Sequence, residues 1–339
     1  MTDPDLPEIP ARELPLSARA PAKCILFGEH AVVHGKPELL LAMDLYSQVS
    51  VRTSTRFSLN ADKDPLATNP YLARAVASAW AGGEPLSVQV TSRIPRAAGL
   101  GSSAAFVAAV MAILASARGG VSRPDLAQRS FEVEQGAQGV GSPGDTTAVV
   151  GGGYLAVNGG SGPLLWEVND PAHRWQVRRV SDPGWTWVVA YSGVPRNTGL
   201  TVKAVGRRLA EADGPRILEE FERVAAEGIA AVAREDRPTV GHLLDRNQEL
   251  LREVGVSHPR LEELLEAVRP ACEGAKLTGA GAGGSIVVLP KVGRELEATR
   301  RISRAGGVPI PVRPARRGVE LVEPLAPEPP PAGPTEFPE

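Results

Sequence analysis

The residues with the clearest chemical potential are Pro95-Arg96-Ala97-Ala98-Gly99-Leu100-Gly101-Ser102-Ser103-Ala104-Ala105, a glycine-serine turn running into an alanine-rich apolar segment that ends near Ala117. Gly99 and Gly101 let the backbone approach a bulky anion and take positive φ without a Cβ clash, and Ser102 or Ser103 can cap the helix that follows. The first turn of such a helix offers unpaired N–H groups at the positive end of its dipole, which suits phosphate. No Lys-Ser or Lys-Thr follows the glycines, so this is not a Walker A loop. Taken alone, an ordinary capped helix explains the stretch as well as a nucleotide site does.

Three other stretches carry reactive side chains. Gly28 to Pro37 packs Glu29, His30 and His34 between turn glycines, just after an apolar segment that sets Lys23 beside a strand start. Glu134 projects from a helix face shared with Phe131 and Ala127, and an inward carboxylate needs either solvent or a cation, which a bound metal would supply. Asp145 follows Gly139, Gly141 and Gly144 at the start of a regular element, where an N-cap is the plain alternative to catalysis. Gly279, Gly281 and Gly284 satisfy G-x-G-x-x-G and raise an NAD-binding oxidoreductase or a nucleotide-binding module. The strand-like Ser285 to Leu289 follows them where a dinucleotide fold needs a helix, which favours a glycine turn between two strands.

These groups need a scaffold of strands and helices, and the periodicity supplies one. Strands are expected at Ala20–Gly28, Leu39–Met43, Ser47–Thr53 and Leu86–Ser92, with a helix over Pro70–Trp80 and a central buried helix over Ala104–Ala117. A further helix starts at Ser122-Arg123-Pro124 and carries Glu134. The stretch 158–185 reads as loop with an edge strand or two, and Thr186–Tyr191 as a buried strand. Helices then follow at about 201–212, 215–234, 238–253 and 259–268, strands at 275–278 and 285–289, a helix at 294–304 and a strand at 319–322. This change from strand and glycine to helix and charge puts a domain boundary at 184/185. Residues 1–18 read as a proline-rich tail, disordered or loosely docked, and 324–339 as a proline-rich disordered tail, flanking domains at 19–184 and 185–323.

Composition narrows the partners. A formal net charge of −2 over 339 residues gives no field for nucleic acid or an acidic membrane, so a small molecule is the default partner. Cys24 and Cys272 match no metal or redox spacing, and the N-terminus does not resemble a signal peptide, which together suggest a cytoplasmic protein. No run is long enough to span a bilayer. Only six lysines are present (Lys23, Lys36, Lys63, Lys203, Lys276 and Lys291), so each merits attention.

Three of the stretches, in order, resemble the GHMP kinase superfamily: Ala20 through Gly35, Pro95 through Ala105, and Lys276-Leu277-Thr278-Gly279-Ala280-Gly281-Ala282-Gly283-Gly284. Within it, Phe27-Gly28-Glu29-His30-Ala31-Val32-Val33-His34-Gly35 is similar to the mevalonate kinases. The resemblance covers about 19–322 and implies an α+β fold with a ribosomal protein S5 domain 2-like N-terminal domain and a ferredoxin-like C-terminal domain. It implies ATP-dependent phosphorylation of the 5-hydroxyl of mevalonate in isoprenoid biosynthesis, with another superfamily kinase (phosphomevalonate, sugar or homoserine) as the alternative.

Carried over by position, the resemblance makes Pro95, Ala98, Gly99, Leu100, Gly101, Ser102, Ser103 and Ala104 the ATP site. Ser102 or Ser103 with Glu134 would hold Mg²⁺, and Asp145 and Lys23 would be catalytic. The separation of eleven positions between Glu134 and Asp145 is the family's own. Glu29, His30, Thr198 and Ala280 would contact substrate, and a homodimer is one option for the assembly. Arg196, outside the carried-over positions, could pair with a substrate carboxylate or phosphate through its planar fork, a solvated turn arginine being the plain alternative. Two residues depart from the family pattern: Ala22 stands where glycine is usual, and Glu38 where a small apolar residue is usual.

Overall fold

A helix with no polar face has to be covered on all sides, and the segment Ser102–Ala117 is: from Ala104 to Ser116 every residue but Phe106 is buried. The computed structural model describes residues 6–139, 141–196 and 198–323. Ahead of this helix (α3) come β1 (Leu16–Phe27), β2 (Glu38–Thr53), β3 (Ser58–Leu59), α1 (Pro65–Thr68), α2 (Pro70–Ala79) and β4 (Leu86–Ser92). After it come α4 (Arg123–Gln138), α5 (Gly144–Gly151), β5 (Tyr154–Val157), β6 (Leu164–Asn169) and β7 (Arg174–Val180). The rest of the chain forms β8 (Trp187–Tyr191), α6 (Thr198–Leu209), α7 (Gly214–Ala233), α8 (Arg237–Glu253), α9 (Pro259–Val268), β9 (Cys272–Thr278), β10 (Ser285–Pro290), α10 (Glu295–Arg304), β11 (Val308–Val312) and β12 (Glu320–Val322).

Two sheets organise these elements into an α+β fold. The larger runs β12-β1-β2-β5-β7-β6, with β4 also on β2 and β3 on β4; the smaller, antiparallel throughout, runs β11-β8-β10-β9. α3 lies against β1 and β2 and touches α2, α4 and α5, which seal its remaining sides. Both faces of β1 are covered, and Arg19 is its only exposed residue. α8 and α9 pack on β9, and α7 contacts β1 and β2 as well as α8, so the second half of the chain is built onto the strand that carries Lys23.

The structure departs from the sequence reading in four places. Residues 6–18 are docked: Leu6 and Ile9 are buried, Ile9 pairs with Val121, and the carbonyls of Pro7 and Pro10 accept from Arg123 and Ser116. The prolines that suggested disorder thus serve as carbonyl acceptors, and β1 begins at Leu16, before the expected boundary. The two expected strands at 39–43 and 47–53 are one strand, β2, interrupted by a register shift opposite Pro21/Ala22, where Pro21 has no N–H to pair. β11 was hidden by Pro309 and Pro311, which it tolerates because it is an edge strand. β12 joins β1 in the first sheet, so residues 320–322 belong to the first layer and not to the second unit. Residues 1–5 and 324–339, expected as tails, lie outside the described residues.

Candidate active site

The phosphate-loop expectation depends on whether the helix end is free for a ligand. α3 starts at Ser102 with Gly101 as N-cap, at φ 77°, and no side chain caps it. The serines are inside the first turn, so they do not cap it as the sequence suggested. The first N–H groups are left facing outward. Gly101 is required twice over: L residues rarely adopt its φ, and a Cβ there would press on Lys23 Cγ at 2.7 Å. The Lys23 N–H also donates to the Leu100 carbonyl at 3.0 Å, which ties β1 to the loop. Ala98, Leu100 and Ala104 are buried beneath it as packing. A cavity of about 790 Å³ opens above, bordered by Asn60, Tyr71, Pro95, Gly99, Ser102 and Phe106, large enough for a nucleoside triphosphate.

Asp145 borders that cavity and, with Glu134, a second one beside it. α5 begins at Gly144 and puts Asp145 in its first turn, not at the N-cap, which is Pro143. Lys23 Nζ lies 2.6 Å from Asp145 Oδ1; the lysine is 1% exposed and the aspartate 31%. Ser103 Oγ donates to Glu134 Oε1 at 2.7 Å, and Gln138 Nε2 donates to the same oxygen at 3.1 Å. Burial, and then the nearby Asp145 charge, push the Glu134 carboxyl up to about 7.

Among the described residues no group of three His, Cys, Asp or Glu side chains could hold a metal. A magnesium site here would therefore be one hydroxyl and one carboxylate completed by phosphate oxygens and water, the donor set a hard cation prefers in nucleotide enzymes. Glu134 fits it: among the described residues its side-chain partners, Ser103 and Gln138, are neutral, and its buried carboxyl is suited to a cation.

A second cavity, of about 260 Å³, lies on the other side of Asp145 and is bordered by Glu29, His30, Glu38, Glu134, Arg196 and Ala280. Asp145, Gln138 and Arg196 border both cavities. Glu29, 1% exposed, is paired with Lys276; burial pushes its carboxyl up and the lysine down, and their contact opposes both shifts. His30, at φ 63°, has Nε2 3.1 Å from the Ala280 carbonyl, and burial pushes its imidazole down to about 4, so it is a neutral donor clamping the hairpin loop.

The Arg196 side chain packs against Gly99, Gly279 and Gly284, so it bridges both glycine loops, and its Nη1 is buried without a partner among the described residues. Thr198 opens α6, but its side chain lies outside the described residues. The sequence-nominated residues thus converge on one place, with Glu29 and His30 bound to protein groups.

The late glycines join the antiparallel strands β9 and β10, which removes the dinucleotide reading. They lean on β1: Thr278 Oγ1 accepts from the Ile25 N–H at 2.8 Å and donates to the Ile25 carbonyl at 3.0 Å. Ser285 Oγ donates to the Ala98 carbonyl at 2.8 Å. Sequence reasoning gave no role to Lys276, Thr278, Ser285 or Gln138. For Lys276 a signal existed: a rare lysine amid an otherwise buried strand requires an anionic partner.

Comparison with known proteins agrees with this geometry. The family described as GHMP kinases N terminal domain matches residues 70–153, and the one described as GHMP kinases C terminal matches 229–306. The mevalonate kinase of Pyrococcus horikoshii is 31% identical over 90% of this chain and 97% of its own. That of Methanothermobacter thermautotrophicus is 31% identical over 80% and 89%. Among solved structures, L. major mevalonate kinase in complex with R-mevalonate superposes with a TM-score of 0.75 over 91% of this chain and 99% of that one, at 19% identity.

Proposed function

Because the chain belongs to the mevalonate kinase family of the GHMP kinases, we propose that it transfers the γ-phosphoryl group of ATP to the 5-hydroxyl of mevalonate. The observation that carries this reading is the Lys23–Asp145 pair at 2.6 Å, standing where a nucleotide-sized cavity meets a small one. Phosphoryl transfer asks a protein mainly to align an alcohol with the phosphorus and to neutralise charge.

In this reading the loop N–H groups from Gly99 to Ser103 and the α3 dipole hold the phosphate chain, and Ser103 and Glu134 are the residues that would hold Mg²⁺. The cation, when bound, neutralises phosphate charge. Lys23 engages Asp145 Oδ1, which leaves Oδ2 open to the substrate hydroxyl. Asp145 orients that hydroxyl and takes its proton as the new P–O bond forms, while Lys23 holds the aspartate in place. The unpartnered Nη1 of Arg196 is suited to the carboxylate of mevalonate, since a guanidinium accepts planar two-oxygen partners. A homodimer and a cytoplasmic location remain part of the proposal; among the described residues, no helix is long and apolar enough to cross a membrane.

The test is Mg-ATP-dependent ADP release against mevalonate, mevalonate 5-phosphate, galactose and homoserine. Selective turnover of mevalonate is expected. Turnover of one of the other alcohols alone would keep the kinase and discard the acceptor.

A further inference from the structure

Glu38, the first residue of β2, places a carboxyl group in the wall of the smaller cavity where the reaction scheme has no use for it. It is 1% exposed, and its Oε2 has no hydrogen-bond partner among the described residues. That oxygen lies over Gly144, so closely that a Cβ on the glycine would strike it. Glu38 is thus packed against the residue that precedes Asp145. Its place is fixed from the other side by Gly28, whose Cβ-less backbone at φ 94° crosses Pro37 and the Glu38 Cα.

The charges around it do not leave a cation for it. Lys23 from β1, Glu29 from the turn after β1, Asp145 from α5 and Lys276 from β9 face Glu38. Each lysine is committed, Lys23 to Asp145 and Lys276 to Glu29. An ionised Glu38 would be a buried anion beside a second carboxylate, competing with it for Lys23. A neutral carboxylic acid avoids that cost, and it has an O–H donor, which a carboxylate lacks.

We propose that Glu38 is a positioning residue that works as a neutral carboxylic acid, packing beneath Asp145 and leaving the Lys23 charge to that aspartate alone. The inference rests on the reading of Lys23 and Asp145 as the acceptor end of the site. Burial first, and then the charge of Asp145, hold the Glu38 carboxyl well above the usual carboxylate range. As pH rises and Glu38 ionises, the second anion competes with Asp145 for Lys23 and loosens the pair that orients the acceptor, so turnover falls on the alkaline side.

Two readouts test this with the full chain, one of which needs no substrate. The infrared difference spectrum of wild type minus Glu38→Gln at neutral pH should show a protonated-carboxyl C=O band. In the mevalonate assay Glu38→Leu should lower kcat about tenfold or more, with the KM for ATP retained. Glu38→Gln should restore most of the loss and move the alkaline limb of the pH profile upward. Absence of the infrared band would mean an ionised Glu38 and overturn the proposal, as would a Glu38→Leu enzyme with the wild-type kcat and pH profile. If the wild type fails to phosphorylate mevalonate, the functional reading falls while the infrared band still decides the protonation of Glu38.

Discussion

Two lysines are buried in strands of this protein and each meets a carboxylate, but the pairs differ in one respect that separates their roles. Lys276 and Glu29 are 0% and 1% exposed, a pair closed off from bulk solvent. Lys23 is equally buried, yet its partner Asp145 keeps 31% of its side chain open toward the cavities. A pair buried on both sides holds elements together, here β9 against the turn after β1. An open one can offer an oxygen to an incoming hydroxyl. The closed pair also supports the open one: Lys276 Nζ lies 3.4 Å from the Ile25 carbonyl, two residues along β1 from Lys23.

The sharpest way to break this contrast is at the open pair. Asp145→Asn keeps size and removes the charge, and kcat should fall about 10³-fold, while Mg-ATP still raises the melting temperature. Turnover within a few-fold of wild type would sink the assignment of Asp145. At the closed pair the effect should appear in stability instead. Lys276→Met leaves Glu29 buried and unpaired, for which about 3–5 kcal/mol is expected, measured by urea unfolding. Lys23→Met should cost less stability, because Asp145 can turn toward solvent, and more activity. If the two lysine variants lose stability and kcat in the same ratio, the distinction between closed and open pairs is wrong.

Much of the open region was legible in the sequence, because its chemistry depends on local signals. Glycines and serines before an apolar run mark the turn that opens α3, and Asp145 and Glu134 lie in or beside glycine turns and helix faces that single them out. The closed region was not legible to the same degree. That Glu29 is paired with Lys276 depends on β9 being laid against β1, a pairing of residues 247 positions apart that no periodicity encodes. The same holds for Glu38, which reads as an anomaly at a strand start and acquires meaning only when α5 places Gly144 over its carboxyl. In the fold, proline was the ambiguous signal: it marks missing N–H donors but not whether its carbonyl is used, so the N-terminal segment stayed undecided between disorder and docking, and β11 was missed.

Stability against pH offers a further contrast, because the two sides of the small cavity carry groups displaced in opposite senses. Glu38 is held above its ordinary value, so the folded state keeps a proton that the unfolded chain releases. Its contribution is complete at acid pH and declines as pH climbs from about 4.5 toward its folded value. Glu38→Gln should therefore flatten the loss of stability above that point, read from urea midpoints across pH.

The smallest effect belongs to His30, next to the closed pair. Its imidazole falls from an ordinary value of 6.5 to about 4, chiefly through burial, with Lys276, Arg196 and His34 adding to the shift and the Ala280 carbonyl opposing it. Between those values the unfolded chain binds a proton that the folded one refuses, so stability is whole above 6.5 and is lost as pH falls toward 4. The complete window corresponds to about 3 kcal/mol. His30→Gln can still donate to the Ala280 carbonyl but cannot titrate, so its urea midpoint should change less between pH 7 and pH 5 than that of the wild type. An equal change in both proteins would mean that the acid sensitivity lies elsewhere and that His30 is not held neutral by the hairpin it clamps.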